Sequence, residues 1–212
     1  TPLVCCANDT LSGVDMLLDD VVDMLPSPNE RRLETLDGEL LDYDENKPLK
    51  AFVFKTVADP FVGKISAIKV IQGRLTSGTT AVNARTGENV RLGKLVKLLG
   101  KKQEEVTEAL AGDIVAAIKL EAATNDTLCA PEAVAALEPT KFPEACYFRA
   151  VNLADGGDEA KLSAAIRRLL EEDLTLKYVH NHETHQRMIG GLGEQHLDVA
   201  ASKLKSKFGM DV

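Results

Sequence analysis

Three imidazoles and a carboxylate lie within six residues, in His180-Asn181-His182-Glu183-Thr184-His185. Such a run can ligate zinc, and a strand would put His180 and His182 on one face. The competing reading is a polar hairpin tip, since no fourth ligand stands at tetrahedral spacing and no H-E-x-x-H pair occurs. His196 follows a glycine by one helical turn, where it meets either an oxyanion or a neighbouring domain. The four cysteines, Cys5, Cys6, Cys129 and Cys146, have no C-x-x-C spacing. That pattern favours free thiols in a reducing compartment, and the chain reads as cytoplasmic. Adjacent Cys5 and Cys6 do not close a relaxed disulfide. No Ser-His-Asp or Cys-His arrangement is evident, so no catalytic residue and no metal site is assigned.

Charge carries more. Residues 51–102 hold ten Lys or Arg (Lys55, Lys64, Lys69, Arg74, Arg85, Arg91, Lys94, Lys97, Lys101 and Lys102) against Asp59 and Glu88, a local net charge of +8. The whole chain of 212 residues has a formal net charge of -8, which leaves -16 for the remainder. A basic block in an acidic chain points to a polyanion partner. Aromatic residues are few, so backbone contact with folded RNA or duplex is favoured over stacking on single strands. The rival reading is a solvated surface. No apolar run is long enough to span a membrane, and no membrane partner is expected.

The elements that must position these residues fall into two rhythms. Residues 51–54, 65–71, 79–84, 90–99 and 114–120 read as strands between glycine-bearing breaks, with no helical period between residues 51 and 99. They predict a small antiparallel β-barrel over residues 48–137. Beyond Glu138-Pro139-Thr140-Lys141-Phe142-Pro143, residues 138–212 read as a strand (145–153), a helix (158–173, capped by Asp158), a hairpin (176–179 and 188–189), a helix (194–208) and the start of a last strand at 210–212. The order β-α-β-β-α-β predicts a ferredoxin-like split βαβ domain. The fold class is thus mixed β and α+β.

Before the barrel, Leu3-Val4-Cys5-Cys6-Ala7 reads as a buried strand. Ser12 reads as the N-cap of a helix whose stripe is Val14, Leu17, Leu18, Val21, Val22 and Leu25, stopped by Pro26-Ser27-Pro28. This helix needs a sheet to pack on, and the chain starts at Thr1 without Met, so residues 1–28 read as the remnant of a larger domain. Residues 29–47 read as an acidic linker or wrapped connecting segment, with a turn at Asp37-Gly38.

Several ordered motifs carry a family resemblance. Asp59-Pro60-Phe61-Val62-Gly63-Lys64, Gly73-x-Leu75-x-x-Gly78, Ala111-Gly112-Asp113-Ile114, Asp126-Thr127-Leu128-Cys129 and Phe142-Pro143-Glu144 resemble the second domain of elongation factor G-like translational GTPases and its entry to the third. Glu171-Glu172-Asp173 and Gly193-Glu194-Gln195-His196-Leu197-Asp198 resemble the third domain, and Gly13-Val14-x-x-Leu17-Leu18-Asp19 resembles the last helix of the GTP-binding domain.

The resemblance implies a GTP hydrolase as parent, using GTP with Mg, from which most of the GTP-binding domain is missing. No G-x-x-x-x-G-K-[ST] loop occurs, and Asn46-Lys47-Pro48 is not the guanine-recognising Asn-Lys-x-Asp. This stretch alone is therefore not expected to be an enzyme or to hold a cofactor. Cys6 and Ala7 fall where the family has Ser-Ala in its guanine loop, with a thiol replacing the hydroxyl. Implied partners are the ribosome, through small-subunit rRNA and a small-subunit protein, and the GTP-binding domain of the same parent. Lys64, Arg74 and Lys101 flank predicted turns and are the candidate RNA contacts, while Glu194 and His196 are candidate domain contacts. The implied role is coupling of GTP state to translocation. Leu174 and Leu176, where the family has Pro and Phe, and Gln195 and Asp198 depart from its pattern, which keeps open a divergent paralogue or a ribosomal protection protein of the tetracycline-resistance type. A stand-alone RNA-binding or metal-binding module also stays open.

Overall fold

A computed structural model describes residues 3–30, 32–59, 62–100, 102–154, 156, 157, 159–181, 183 and 186–212. Helix α1 is Val14–Met24, and the strands that follow are β1 (Leu33–Glu34), β2 (Leu40–Leu41), β3 (Lys50–Asp59), β4 (Gly63–Gln72), β5 (Arg74–Thr76), β6 (Thr80–Asn83), β7 (Asn89–Arg91), β8 (Leu95–Leu99), β9 (Lys102–Val106), β10 (Glu108–Leu110), β11 (Ile114–Ile118) and β12 (Thr127–Cys129). After these come β13 (Tyr147–Ala150), α2 (Glu159–Glu172), β14 (Lys177–Asn181), β15 (Gln186–Gly191) and α3 (Glu194–Phe208).

Strand alternation explains the first module. Ala51 and Val53 of β3, and Ile68 and Val70 of β4, turn inward beside Leu75, Leu92, Leu95, Val115 and Leu128 to form one core. The antiparallel order is β7-β6-β12-β3-β4-β11-β8-β9, with β5 and β10 paired separately. The module is the expected antiparallel β fold, curled about that core. Among the described residues no ladder joins β7 to β9, so the pairing does not complete a closed barrel. A register shift between Val53 and Lys55 resets the alternation in β3, so that Phe54 and Lys55 both face outward and Thr56 turns in. The single strand expected over residues 90–99 is two, because Gly93 lies in the break that lets β7 end and β8 begin.

Within the acidic segment, β1 and β2 form a hairpin laid on this sheet. Leu33 pairs with Leu41, and Leu41 packs with Ile71, Leu137, Leu33 and Phe52. Lys50, buried to 1% exposure, reaches Glu39 of the hairpin at 3.1 Å.

The second module is a three-stranded sheet, order β13-β15-β14, covered by α2 and α3. Leu162, Ala165, Ile166 and Leu169 of α2 meet Leu197, Ala200 and Leu204 of α3 over Ile189 and Leu176. Burying each such Leu or Ile stabilises the module by about 1.5–3 kcal/mol. Ala200 is the small residue of α3 that is buried. The order is that of the expected split βαβ fold. Its last strand is reduced to one bond, from the Ala154 amide to the Asp211 carbonyl at 3.0 Å. Gly209, in the left-handed region, is the C-cap of α3. The cap expected at Asp158 lies outside the described residues.

Two expectations for the first 28 residues do not hold. Residues 3–6 form no strand: Leu3 is 93% exposed, Cys5 and Cys6 are exposed, and the one bridge is Ala7 with Ser12. No neighbouring strand lies beside this segment among the described residues, so its apolar character has nothing to pair with. Gly13, not Ser12, is the N-cap of α1, and it makes no side-chain cap bond. The apolar stripe of α1 is there, yet none of the helix is buried.

Candidate functional site

The two modules meet where α2 ends. Glu171, Glu172 and Asp173 crowd the negative end of a helix dipole, an arrangement that is unfavourable unless something compensates it. Lys203 and Lys207, one turn apart on α3, supply the compensation. Glu172 accepts Lys203 Nζ at 3.1 Å on Oε1 and Lys207 Nζ at 2.6 Å on Oε2. The same Oε2 accepts the Ala58 amide of β3 at 3.2 Å, and Lys207 donates back to the Ala58 carbonyl at 3.3 Å. One carboxylate therefore ties α2, α3 and the first module together. Its side chain is 11% exposed. Burial pushes the Glu172 carboxyl up, but the bonds from Lys207, Lys203 and the Ala58 amide outweigh burial and hold it below the usual range. Beside it, Lys64 faces Glu171 at 3.7 Å, over a cleft of about 440 Å³ that Lys119 and Arg168 also line.

His196 ties the turn before α3 to the end of α2, within the second module. Its Nδ1 accepts the Leu192 amide at 3.0 Å, which leaves Nε2 as the protonated nitrogen of the neutral ring, donating to Asp173 Oδ2 at 2.9 Å. Burial pushes the Asp173 carboxyl up, yet hydrogen bonds from the Thr175 hydroxyl and His196 keep it low. Gly191 is required here, because a Cβ on it would lie 2.8 Å from His196 Nδ1 and 2.9 Å from Leu197 Cδ2. Glu194 pairs with Arg149 of β13, which also meets Asp198 at 3.2 Å and lies over the Tyr147 ring. Both residues named from sequence as domain contacts thus hold the second module to itself. Arg149 takes up Asp198, the departure noted in sequence.

The basic block looks different in space. Arg74 is held by Glu45 at 3.2 Å and Glu108 at 3.7 Å, Lys94 by Glu105 at 2.6 Å, and Lys97 faces Asp113 at 3.9 Å. Arg85 bonds Asp126, which is almost wholly buried and also accepts Asn83 and the Ala123 amide. Burial raises Asp126, and the bonds from Arg85, Ala123 and Asn83 more than reverse it. The acids come from outside residues 51–102, brought in by the segment before β3, by β9 and β10, and by the loops on either side of β11. Among the described residues Lys55, Lys69, Arg91 and Lys102 have no ion pair. Lys101, the third base picked from sequence, lies outside the described residues.

Ala7 donates its amide to the Ser12 carbonyl at 3.0 Å, so the backbone donor expected of a guanine loop is used locally. His182 and His185 lie outside the described residues, and among the described residues no three metal-binding side chains gather. No described helix is long and apolar enough to cross a membrane. The Glu172 latch escaped the sequence reading, although three acids at a helix C-terminus were its visible signal.

Residues 48–131 match the family described as elongation factor G domain 2, and residues 142–212 match elongation factor G domain III. Elongation factor G of Thermotoga neapolitana is 38% identical over 218 residues, covering 100% of this chain and 31% of its own length. Elongation factor G of Thermotoga maritima is likewise 38% identical, over 100% of this chain and 32% of itself. A crystal structure of a Thermus thermophilus protein superposes with a TM-score of 0.74 at 31% identity, over 94% of this chain and 28% of that one. The chain spans about a third of the length of the curated relatives it matches, at 31% for the first. The module built on β3 to β12 and the module built on β13 to α3 are therefore an elongation factor G domain 2 and an elongation factor G domain III.

Proposed function

We propose that this chain is the ribosome-docking part of an elongation factor G-type translational GTPase, coupling the nucleotide state of a GTP-binding domain to translocation. The observation that carries the reading is the pair of family matches, in chain order, on two modules tied by one buried carboxylate. In this reading the first module lies on small-subunit rRNA and the second meets a small-subunit protein and the GTP-binding domain, all in the cytoplasm. The exposed stripe Leu17, Leu18, Val21, Val22 and Leu25 on and just beyond α1 supports a covering domain of the same parent. GTP and Mg belong to that domain, and no step of the hydrolysis is assigned to residues of this chain.

Lys55, Lys69, Arg91 and Lys102 join Lys101 as the proposed phosphate contacts. Arg74 is half exposed beside two half-exposed acids and can exchange them for phosphate. Lys64, 28% exposed, would have to leave Glu171 and the seam to do so. Glu194 and His196 act on the GTP-binding domain through the Leu192 turn and the α3 N-terminus that they hold. The test is steady-state GTP hydrolysis by the intact parent with and without ribosomes, with this chain as blank. Strong stimulation by ribosomes is expected. Absence of ribosome-dependent hydrolysis, together with failure of this chain to pellet with small subunits, refutes the reading.

A further inference from the structure

The groove between α2 and the β14 edge of the three-stranded sheet carries chemistry that the Glu172 latch does not use, and its Arg167 stands at the border with the cleft that Lys64, Thr56 and Glu171 line at the seam. Ser163, Arg167, Tyr178, His180 and Arg187 line an open depression of about 340 Å³. Ser163 and Arg167 are one turn apart on α2 and share a face. Arg187 rises from β15 and gives one nitrogen to Ser163 Oγ and the Glu159 carbonyl, both at 3.4 Å. Its other terminal nitrogen meets the Glu159 carboxylate at 2.8 Å. The Ser163 and Tyr178 hydroxyls stand 3.3 Å apart, too long for a strong bond. Arg167 is exposed and forms no ion pair among the described residues.

Two guanidiniums from different elements and two loosely paired hydroxyls form a donor set larger than a planar carboxylate uses. A tetrahedral phosphate, with oxygens pointing several ways, can engage all of them. Glu159 is the acid paired with Arg187, and its side chain is 74% exposed, so it can turn to solvent when an anion arrives. The depression is open along the strand edge, which suits a phosphate carried on a long polymer better than a small enclosed ligand. We propose that this groove is a second RNA contact, taking one backbone phosphate between Arg167 and Arg187, with the Ser163 and Tyr178 hydroxyls completing the shell. The proposal rests on the RNA-docking reading and adds the second module to it. The contact positions the chain and reads no sequence.

The test is fluorescence anisotropy of a labelled RNA hairpin with the 212-residue chain over a range of salt concentrations. Each phosphate contact contributes about 0.9 to the slope of log K against log salt on a duplex. Arg167→Ala with Arg187→Ala is expected to lower that slope by about 1 and weaken binding several-fold. Ser163→Ala with Tyr178→Phe is expected to weaken binding while leaving the slope unchanged. Lys69→Ala with Arg91→Ala gauges the first module separately. If the arginine pair leaves slope and affinity untouched while the Lys69 and Arg91 pair lowers both, the groove is not a contact and the docking reading stands. If the unaltered chain binds no RNA, both fail. Side-chain Nε–H resonances of Arg167 and Arg187 that move with inorganic phosphate but not with RNA would make this a small-anion site and overturn the proposal. Arg167→Ala alone, at an exposed position, covers the case in which the double variant does not fold.

Discussion

Removing the charge of Glu172 should uncouple the two modules. The carboxylate accepts two ammonium groups and one amide with only 11% of its side chain exposed. A hydrogen bond to a charged partner contributes about 1.5–3 kcal/mol, and a buried donor left without its acceptor costs about 1–3 kcal/mol. Lys203 and Lys207 are about a third and a quarter exposed, so both rehydrate in part once the acid is gone and their share is discounted. What stays is the Ala58 amide and the Lys207 that bridges it, giving about 2–3 kcal/mol for Glu172→Ala and somewhat less for Glu172→Gln. The folded carboxyl sits below its ordinary value, so its contribution is complete above the unfolded value and drains away as pH falls through the folded one. Urea titrations from neutral pH down to about pH 3, followed by fluorescence transfer between dyes on the two modules, read this directly. The unaltered chain should lose coupling on the acid side, and Glu172→Gln should be weak at neutral pH and flatter towards acid. A variant that keeps the same midpoint, the same acid limb and the same transfer efficiency would show that the seam is held by apolar contact instead.

Asp126→Ala should cost the first module about 3 kcal/mol in chemical denaturation, because Asn83 and the Ala123 amide lose their acceptor. Its depressed carboxyl predicts loss of that stability as pH drops through the folded value. Gly112→Ala should lower the melting temperature steeply, since φ is +97° and a Cβ would fall 1.5 Å from the buried Tyr43 hydroxyl; an unchanged melt would mean that Tyr43 is free to swing out. Lys50→Met should be close to neutral in stability, because Glu39 is half exposed and rehydrates while the lysine gives up a buried charge; a loss above about 3 kcal/mol would show the pair to be essential. Glu105→Gln with Glu108→Gln should strengthen RNA binding and steepen its salt dependence by releasing Lys94 and Arg74, and weaker binding would place those acids at the contact itself.

Local signals that agree with one another were readable. Gly193 before, Gly209 after, acids in the first turn and lysines in the last set α3 at Glu194–Phe208, the span read from the residues. The β-α-β-β-α order was legible for the same reason. The hairpin at 29–47 announced its turn at Asp37-Gly38, but strands of two residues carry too little alternation to reveal that they dock. Leu3 to Ala7 failed in the opposite sense: apolar spelling predicts a partner strand, and none lies beside it among the described residues.

The basic block shows where linear charge stops being informative. Sheet pairing sets which charges are neighbours, and antiparallel order brings β9 beside β8 and β10 beside β5, so Glu105 and Glu108 arrive at Lys94 and Arg74 from beyond the block. Exposed pairs of this kind contribute about 0–1 kcal/mol to stability, too little to account for keeping them on that ground alone. Their larger effect is on any polyanion, which must displace a carboxylate at Arg74 or Lys94 but meets Lys69 and Arg91 unopposed. The field that a phosphate backbone feels is therefore graded across the sheet, strongest where no acid has been folded back. In the ribosome-docking reading proposed above, such a graded surface favours reversible contact over the tight hold of a uniform charge of +8, because each folded-back acid competes with phosphate.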